Sequence, residues 1–558
     1  MAGPIDDLIK SHQGLVAERA NFDTLNQEVA EYVLPEHANF TSKDVVQGTQ
    51  RQRRQYDSTA PTEAERHAAA IDSLATPTGQ KWDGLAAMDP RLNERDDVQQ
   101  YFDDVLDIYR AERAISNFQE QIFDVWHHGG VLGTAPLLSI DKPGGGLSYR
   151  CLPTSECYID VDAQMDVCRL DRRFKLTAKA AYEEYGDKLP QRIKDALIEK
   201  PNTKFEFLHV IMKNPARKPG YLDARGMKWV SVEIAFEDKA VLREGGFTSW
   251  PAPVYRYSKA PEEWYGRGWA ARVLPTIRQV NKMVRSMDRN TEKLADPPLL
   301  AYDDGSLGYG DDASGNTPSL GAGDIHWGGM TSDGKPLVAG LYTGADLEKG
   351  EKRLKQRQQE IKDAALTSVF QIFQDRERMT ATEWLGIMNE KAQLTVPVVG
   401  RAVVRFLSQV VERDLDILNR QGKLPPMPRA LARAGGLYTV RFNSPLMRLL
   451  ELAEVNATNT WLGQMVPFLP HRPDLLDLPD FDAIFRGTGK ALGVPAKYIR
   501  DKDELAAEAA QKQELAALKT GLELAEQGGA VARDTAAAMK DVAIAYDKGG
   551  TARGVRAA

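Results

Sequence analysis

The order helix, strand-rich block, helix, small insert, helix constrains this chain more than any single motif. The decisive segment runs from Trp264 to Leu300, "WYGRGWAARVLPTIRQVNKMVRSMDRNTEKLADPPLL". From about Gly268 to Leu294 it repeats Val273, Ile277, Val280, Val284 and Met287 at three- and four-residue spacing, the period of an amphipathic helix. Pro275 fits only the first turn, where a missing N–H costs nothing, so the start is expected near Leu274. Pro297-Pro298 stops the helix. Residues 295–345 are rich in Gly, Asp and Pro, with strand-like "PPLLAY" and "GDIHW". A second charged helix, "ADLEKGEKRLKQRQQEIKDAALT", is expected from Ala345 to Thr367. Two long helices around a small insert predict an antiparallel hairpin that carries a compact tip away from the body.

The flanking regions supply that body. Apolar positions Leu8, Leu15, Phe22, Leu25, Val29 and Val33 predict a helix from Pro4 to Val33, stopped at Pro35. A basic cluster, Arg51, Arg53 and Arg54, precedes Asp57-Ser58-Thr59, a capping sequence for a helix over about Pro61 to Leu74. A third helical region is expected over Asp96 to His128. Between Ala135 and Trp250, stretches such as "KFEFLHVIMKN" alternate apolar and polar residues and predict strands, with one helix near Thr177 to Tyr185. Thr380 to Glu383 forms a capping box that opens a helical region reaching Gln421, interrupted at Pro397. After Pro495 the sequence turns rich in Ala, Glu and Lys, with strong helix propensity and little core content. The fold class expected is mainly α with a strand-rich block, α+β.

The chain has 558 residues, 42% hydrophobic and 27% charged, a composition suited to several soluble globular domains. No apolar run approaches the roughly 18 residues a membrane-spanning helix needs, so no membrane partner is expected. The charged N-terminal segment lacks the apolar core of a signal peptide, which places the protein in cytosol-like conditions. Cys151, Cys157 and Cys168 are too few and too widely spaced for a disulfide framework or paired zinc ligands. They are expected to be small buried or half-buried side chains. With net charge −7, tight wrapping of DNA is not expected, although a wall past which DNA slides need not be basic overall.

No enzyme emerges from the motifs. Gly266-x-Gly268 lacks the third glycine and the βαβ context of a dinucleotide site, and no P-loop occurs. Asp160, Asp162 and Asp166 could offer oxygen ligands to a divalent ion, but a polar turn between strands is the favoured reading. His127 and His128 are adjacent, so a helix would not present them on one face. No catalytic residue, metal or cofactor is expected.

What remains is charge on helices. Arg278, Lys282, Arg285, Arg289 and Lys293 are spaced four, three, four and four, which keeps them on one helical face with the apolar set on a neighbouring face. The second helix mixes Lys349, Lys352, Arg353, Lys355, Arg357 and Lys362 with Asp346, Glu348, Glu351, Glu360 and Asp363, a balance expected of a helix whose partner is another charged helix. The stripe can be a solvated face with ion pairs, or a positive surface meeting phosphates through non-specific, salt-dependent contacts. No aromatic residues interleave it, so base stacking is not indicated.

Five ordered blocks then carry a resemblance: "RRQYDSTAPTEAERHAAAIDSLATPTGQKWDGL", "VLGTAPLLS", "LPTSECYIDVDAQMDVCRLDRRFKLTAKAAYEEYG", "WYGRGWAARVLPTIRQVNKM" and "MTATEWLGIMNEKAQLTVPVVGRAVVRFLSQVVERDLDILNRQGKLP". Together, over roughly residues 10 to 425, they resemble the portal, or head-to-tail connector, proteins of short-tailed bacteriophages. The resemblance implies a ring, a dodecamer, at one capsid vertex of the virion, assembled in the host cytoplasm, through which double-stranded DNA is packaged and ejected. It implies as partners a terminase large subunit, tail adaptor proteins, and major capsid and scaffolding proteins. It implies a wing at 1–269 and 368–485, stem helices at 270–294 and 346–367, a clip at 295–345 and a C-terminal crown at 486–558. In that scheme Ser368 to Met379 holds the tunnel loop. Gln374, Asp375, Arg376 and Arg378 then join the five stripe residues as candidates for the DNA channel. Tyr309, Asp311, His326 and Trp327 in the clip are candidates for adaptor docking. A tail adaptor or internal ejection protein is the alternative virion component, and a packaging nuclease or ATPase the enzymatic one.

Overall fold

The computed structural model describes residues 5–41, 48–52, 54–142, 144–221, 223–295, 299–301, 325–327, 333–335, 347–366 and 400–442, with scattered residues between 455 and 515. The chain divides into two compact units, Met1–Leu450 and Glu451–Ala558. Of the second, one helix, Phe481–Ala491, is described along its backbone; apart from isolated residues, the rest of the expected crown lies outside the described residues.

The first unit is a mixed assembly of helices and sheets. Helices α1 (Ile5–Val33) and α2 (Thr59–Ala75) form where the apolar spacing predicted them. Asp57 accepts the Thr59 amide at 3.0 Å and so opens α2. The region Asp96 to His128, expected as one helix, is two: α3 (Asp96–Ala114) and α4 (Phe118–Leu132). The reason is Asn117. Its amide nitrogen donates to the carbonyl of Tyr149 at 2.7 Å and its oxygen accepts from the Tyr149 amide at 2.9 Å, so a strand takes it out of the helix.

Strand β1 (Asp83–Ala87) precedes α3, and after α4 the chain turns to strands. β2 (Thr134–Asp141) sits between β3 (Leu147–Cys151) and β9 (Val254–Arg256) in a three-stranded sheet. β4 (Cys157–Val161), β5 (Val167–Thr177), β6 (Lys204–Lys213), β7 (Trp229–Ala235) and β8 (Ala240–Phe247) form a five-stranded antiparallel meander. The alternation along β6 has a two-sided use. Phe205 and Phe207 pack with α5 (Ala178–Tyr185) and α6 (Gln191–Glu199), while Leu208 and Val210 join Leu8 of α1 on the other face. Of these two helices, only the first was expected. β1 pairs antiparallel with β12 (Tyr438–Phe442), a union across the length of the unit that no local pattern announces.

The central core gathers α2, α4, the short α7 (Trp269–Arg272), α8 (Leu274–Ala295), α9 (Leu347–Ala364) and α10 (Arg401–Arg420). Trp126, Tyr255 and Phe406 interlock edge-to-face within it, and the Trp126 indole donates to Thr76 Oγ1 at 3.1 Å. Residues 367–399, including the Thr380–Glu383 capping box, lie outside the described residues.

Buried ionisable groups give this core a pH dependence. His67 is buried against Tyr257 and Trp269 and shares a 2.7 Å hydrogen bond with the carbonyl of Ala365; burial pushes its pKa down to about 4. Burial likewise pushes His128 down to about 3. Asp414 is pushed up to about 6 by burial, against the hydroxyls of Ser139, Tyr149 and Tyr109 that donate to it. For the histidines the unfolded chain binds the extra proton, so their stabilisation is present above pH 6.5 and is lost as pH falls. For Asp414 the native state binds it, so its contribution has the opposite sign between its unfolded value of 3.8 and about 6. Burial also lowers His37, His127 and His209 and raises Asp72, Asp103, Asp124 and Glu412. His67 and His128 set the net sign, and stability is expected to fall as pH drops below 6. Urea midpoints measured from pH 7 to 5 check this, and a flat profile contradicts it.

Candidate functional site

At about 100° per residue, the basic residues of α8 occupy an arc of roughly 80°, and Ile277, Val280, Val284 and Met287 lie nearly opposite. The apolar set is thus not on a neighbouring face, as its spacing first indicated, but on the far side. Ile277 and Val280 are buried together with Ile361 and Ala365 of the second helix and its end, with Val284 and Leu354 packed alongside. The two helices run antiparallel: a Cβ at Gly350, near the start of α9, would lie 4.0 Å from Met287, while Ile361, near its end, joins Ile277 in the core. The hairpin expected from the sequence is present.

Part of the charge on α9 is paired within the helix itself. Lys352 bonds Glu348 at 2.7 Å, Arg357 bonds Glu360 at 2.8 Å and Gln359 donates to Asp363 at 2.9 Å, all within one turn of the same helix. These pairs run along α9, and its core contact with α8 is made by Ile361 and Leu354.

The stripe points away from α9. Arg278, Lys282, Arg285 and Arg289 are exposed and Lys293 is half-buried. They are not equivalent. Arg278 pairs with Glu28 of α1 at 3.2 Å, so it serves the fold. Arg285 lies over the ring of Tyr56, its guanidinium carbon 5.1 Å from the ring centre. Lys282, Arg289 and Lys293 have no ion-pair or hydrogen-bond partner among the described residues. The stripe itself lacks aromatics, yet the fold supplies one from the segment before α2.

That segment is anchored on both helices. The amides of Tyr56 and Asp57 donate to Asn281 Oδ1 at 2.7 and 3.0 Å, and Gln358 of α9 donates to Asp57 Oδ2 at 2.8 Å. Asn281 is buried and its own amide bonds the carbonyl of Ile277 at 2.9 Å. The "QYDS" sequence therefore ties the hairpin together. The arginines before it are mostly committed: Arg51 donates to the carbonyl of Glu36 at 2.9 Å and Arg54 pairs with Glu31 at 2.8 Å.

Other sequence candidates resolve as structure. The glycines of "YGRGW" allow two backbones to touch: a Cβ at Gly266 would lie 2.2 Å from the Gly133 carbonyl oxygen, and one at Gly268 would lie 2.0 Å from that of Val131. This is a close approach and not a phosphate cradle. Asp162 accepts from the amides of Gln164 and Asp166 at 3.0 and 2.9 Å, the polar turn between β4 and β5. Cys157 is buried, and burial pushes its thiol up to about 12; Cys151 and Cys168 are half-buried. No group of three metal-ligating side chains occurs among the described residues. Among them also, no helix is long and apolar enough to cross a membrane.

In the insert, His326 and Trp327 lie on β11 (Ile325–Trp327), which pairs parallel with β10 (Leu299–Ala301). These are the two strand-like pieces expected from the sequence. Tyr309, Asp311, Gln374, Asp375, Arg376 and Arg378 lie outside the described residues. The contact that sequence reasoning missed is that of Tyr56 with the stripe; its block, "RRQYDSTAP", was read as a helix cap and as part of the family resemblance.

Comparison with known proteins bears on the whole chain. The model of a family described as bacteriophage head to tail connecting protein matches residues 6–499. A probable portal protein of Bordetella phage BPP-1 is 23% identical over 555 residues, covering 95% of this chain and 96% of the relative. A portal protein of Salmonella phage epsilon15 is 22% identical over 527 residues, covering 92% of each. Among solved structures, a chain from the virion of a native gene transfer agent particle is similar at TM-score 0.35 and 11% identity, covering 76% of this chain and 94% of that one. A chain from the neck of that particle, computed with C12 symmetry, gives TM-score 0.33 and 11% identity, covering 72% and 88%.

Proposed function

This chain belongs to the bacteriophage head to tail connecting protein family, and from that premise we propose that it is a portal protein, the ring at one capsid vertex through which the genome passes. The observation that carries the reading is the match to two portal proteins across more than nine-tenths of the chain. The ring is a dodecamer built from head-to-tail contacts between copies, which close on themselves only at a fixed rotation. It acts by position and charge and not by catalysis.

The parts follow the chain. Residues 1–269 and 368–485 make the wing, 270–294 and 346–367 the stem, 295–345 the clip and 486–558 the crown. In support, α8 and α9 pack antiparallel and the insert between them holds two short paired strands. The stem presents Lys282, Arg285, Arg289 and Lys293 toward passing duplex DNA. From Arg278 to Lys293 the stripe is about 22 Å long, roughly six base pairs of phosphates. A few basic points on a net-acidic chain hold each phosphate briefly, which suits sliding better than uniform attraction would. Gln374, Asp375, Arg376 and Arg378 line the narrowest part of the channel as a tunnel loop. Tyr309, Asp311, His326 and Trp327 meet the terminase large subunit during packaging and the tail adaptor afterwards. Capsid and scaffolding proteins contact the wing. Assembly takes place in the host cytoplasm, and the final location is the neck of the virion.

Electron microscopy of the purified full-length protein tests this reading. Rings with an open central channel are expected. A monomer that persists at high protein concentration, and in the presence of scaffolding protein, overturns it.

A further inference from the structure

Among the described residues, Arg285 is the one stripe residue whose guanidinium is held by a ring. Tyr56 lies beneath it, half-exposed, and the chain around Tyr56 is fixed at three points. Asn281 Oδ1 accepts from the amides of Tyr56 and Asp57, and Asp57 takes a hydrogen bond from Gln358. Asn281, in turn, is buried one helical turn before Arg285, with its amide bonded to the Ile277 carbonyl. A buried polar side chain has thus been spent on placing a surface tyrosine. Arg285 has no hydrogen bond or ion pair among the described residues, so its N–H donors stay available. A guanidinium over an aromatic face is restrained by a contact that uses none of its donors. Arg278, a stripe neighbour on the same helix, shows the contrary arrangement: a carboxylate holds it and occupies its donors.

We propose that Tyr56 is a positioning residue for Arg285, holding its guanidinium outward to hydrogen-bond the backbone phosphates of duplex DNA. This rests on the channel reading above and adds to it a division of labour. Arg278 braces α8 against α1, Lys282, Arg289 and Lys293 supply mobile charge, and Arg285 on Tyr56 is the preorganised contact. A restrained arginine loses less side-chain entropy when it meets a phosphate than a free lysine does, so this contact carries more than its share of affinity.

The test uses full-length rings and a fluorescent duplex of roughly 30 base pairs of arbitrary sequence, with binding followed by anisotropy across a salt series. Arg285→Ala is expected to weaken binding at least roughly tenfold and to reduce the slope of log K against log salt by about 0.9 for each copy of Arg285 that meets a phosphate. Tyr56→Leu is expected to weaken binding to a similar extent, and the double variant no further than Arg285→Ala alone. Tyr56→Phe keeps the ring and restores wild-type binding. Additive losses in the double variant, or wild-type binding by Tyr56→Leu, overturn the proposal. Loss of the ring itself in Tyr56→Leu and Arg285→Ala also overturns it, since the pair would then join two copies of the chain. If Arg289→Glu abolishes binding while Tyr56→Leu and Arg285→Ala bind normally, the channel reading stands and only this pairing fails. If wild-type rings show no salt-dependent affinity for duplex DNA, the channel reading fails first and this proposal with it.

Discussion

Reversal of Arg285 and Arg289 to Glu is expected to weaken duplex binding roughly 100-fold near 0.15 M salt and to abolish stable DNA retention in the head, with the fold intact. Each copy that touches the duplex loses two phosphate contacts, so the salt dependence should fall by about 1.8 in slope per engaged copy, and two new carboxylates per copy add repulsion. The fold is spared because neither residue supports it. Both are exposed, Arg289 has no ion-pair or hydrogen-bond partner among the described residues, and there Arg285 is paired with the ring of Tyr56 alone. The thermal midpoint should therefore move by no more than about 2 °C. Arg278→Glu is the matching control. It sets a carboxylate against Glu28, so its effect should be on stability and less on DNA. Normal packaging by the Arg285/Arg289 double variant would show the stripe to be an ordinary solvated face.

The second large effect concerns a single methyl group. Gly268→Ala is expected to destabilise the chain by about 3 kcal/mol or to prevent soluble expression. Gly268 has φ −73, a conformation any residue accepts, so the cost is steric alone. The new Cβ would lie 2.0 Å from the Val131 carbonyl oxygen and 2.6 Å from that of Gly130. Neither backbone can yield cheaply, because α4 ends there and β2 begins one residue after Gly133. Gly133 itself has φ +86, which closes α4, and a Cβ on it would lie 2.3 Å from the Gly266 carbonyl oxygen. The same region launches α7 and α8, so a forced separation would also misplace the stem. Gly245→Ala, with nothing within 4 Å of its Cβ position, is the control and should shift stability by no more than about 0.5 kcal/mol. A Gly268→Ala protein with a wild-type urea midpoint would contradict the close approach.

Much of the architecture was legible because it depends on local period. α1 and α2 sit within two residues of their expected starts and ends, and α8 begins at Leu274 as Pro275 required. "PPLLAY" and "GDIHW" contain the two short strands of the insert. Where sequence reading failed, a distant partner had intervened. Asn117 leaves the helix because Tyr149 offers two backbone bonds. β1 exists because β12 pairs with it from the far end of the unit. The balanced charge of α9 suggested an inter-helix partner, and the Lys352–Glu348 and Arg357–Glu360 pairs close within the helix.

By itself, the amino-acid sequence determined the hairpin, its basic line, the missing catalytic motifs and, through five ordered blocks, the family. Each of these is set by composition or by spacing along one segment, and neither changes when the chain folds. Only the tertiary structure decided what each stripe residue does. Helical periodicity places Arg278 and Arg285 on the same face and so makes them equivalent. The difference between them comes from what packs alongside, Glu28 of α1 for one and Tyr56, fastened by Asn281, for the other. Such contacts join residues more than two hundred positions apart, and the energy that fixes them is paid out in the packed core and not in the helix that displays them.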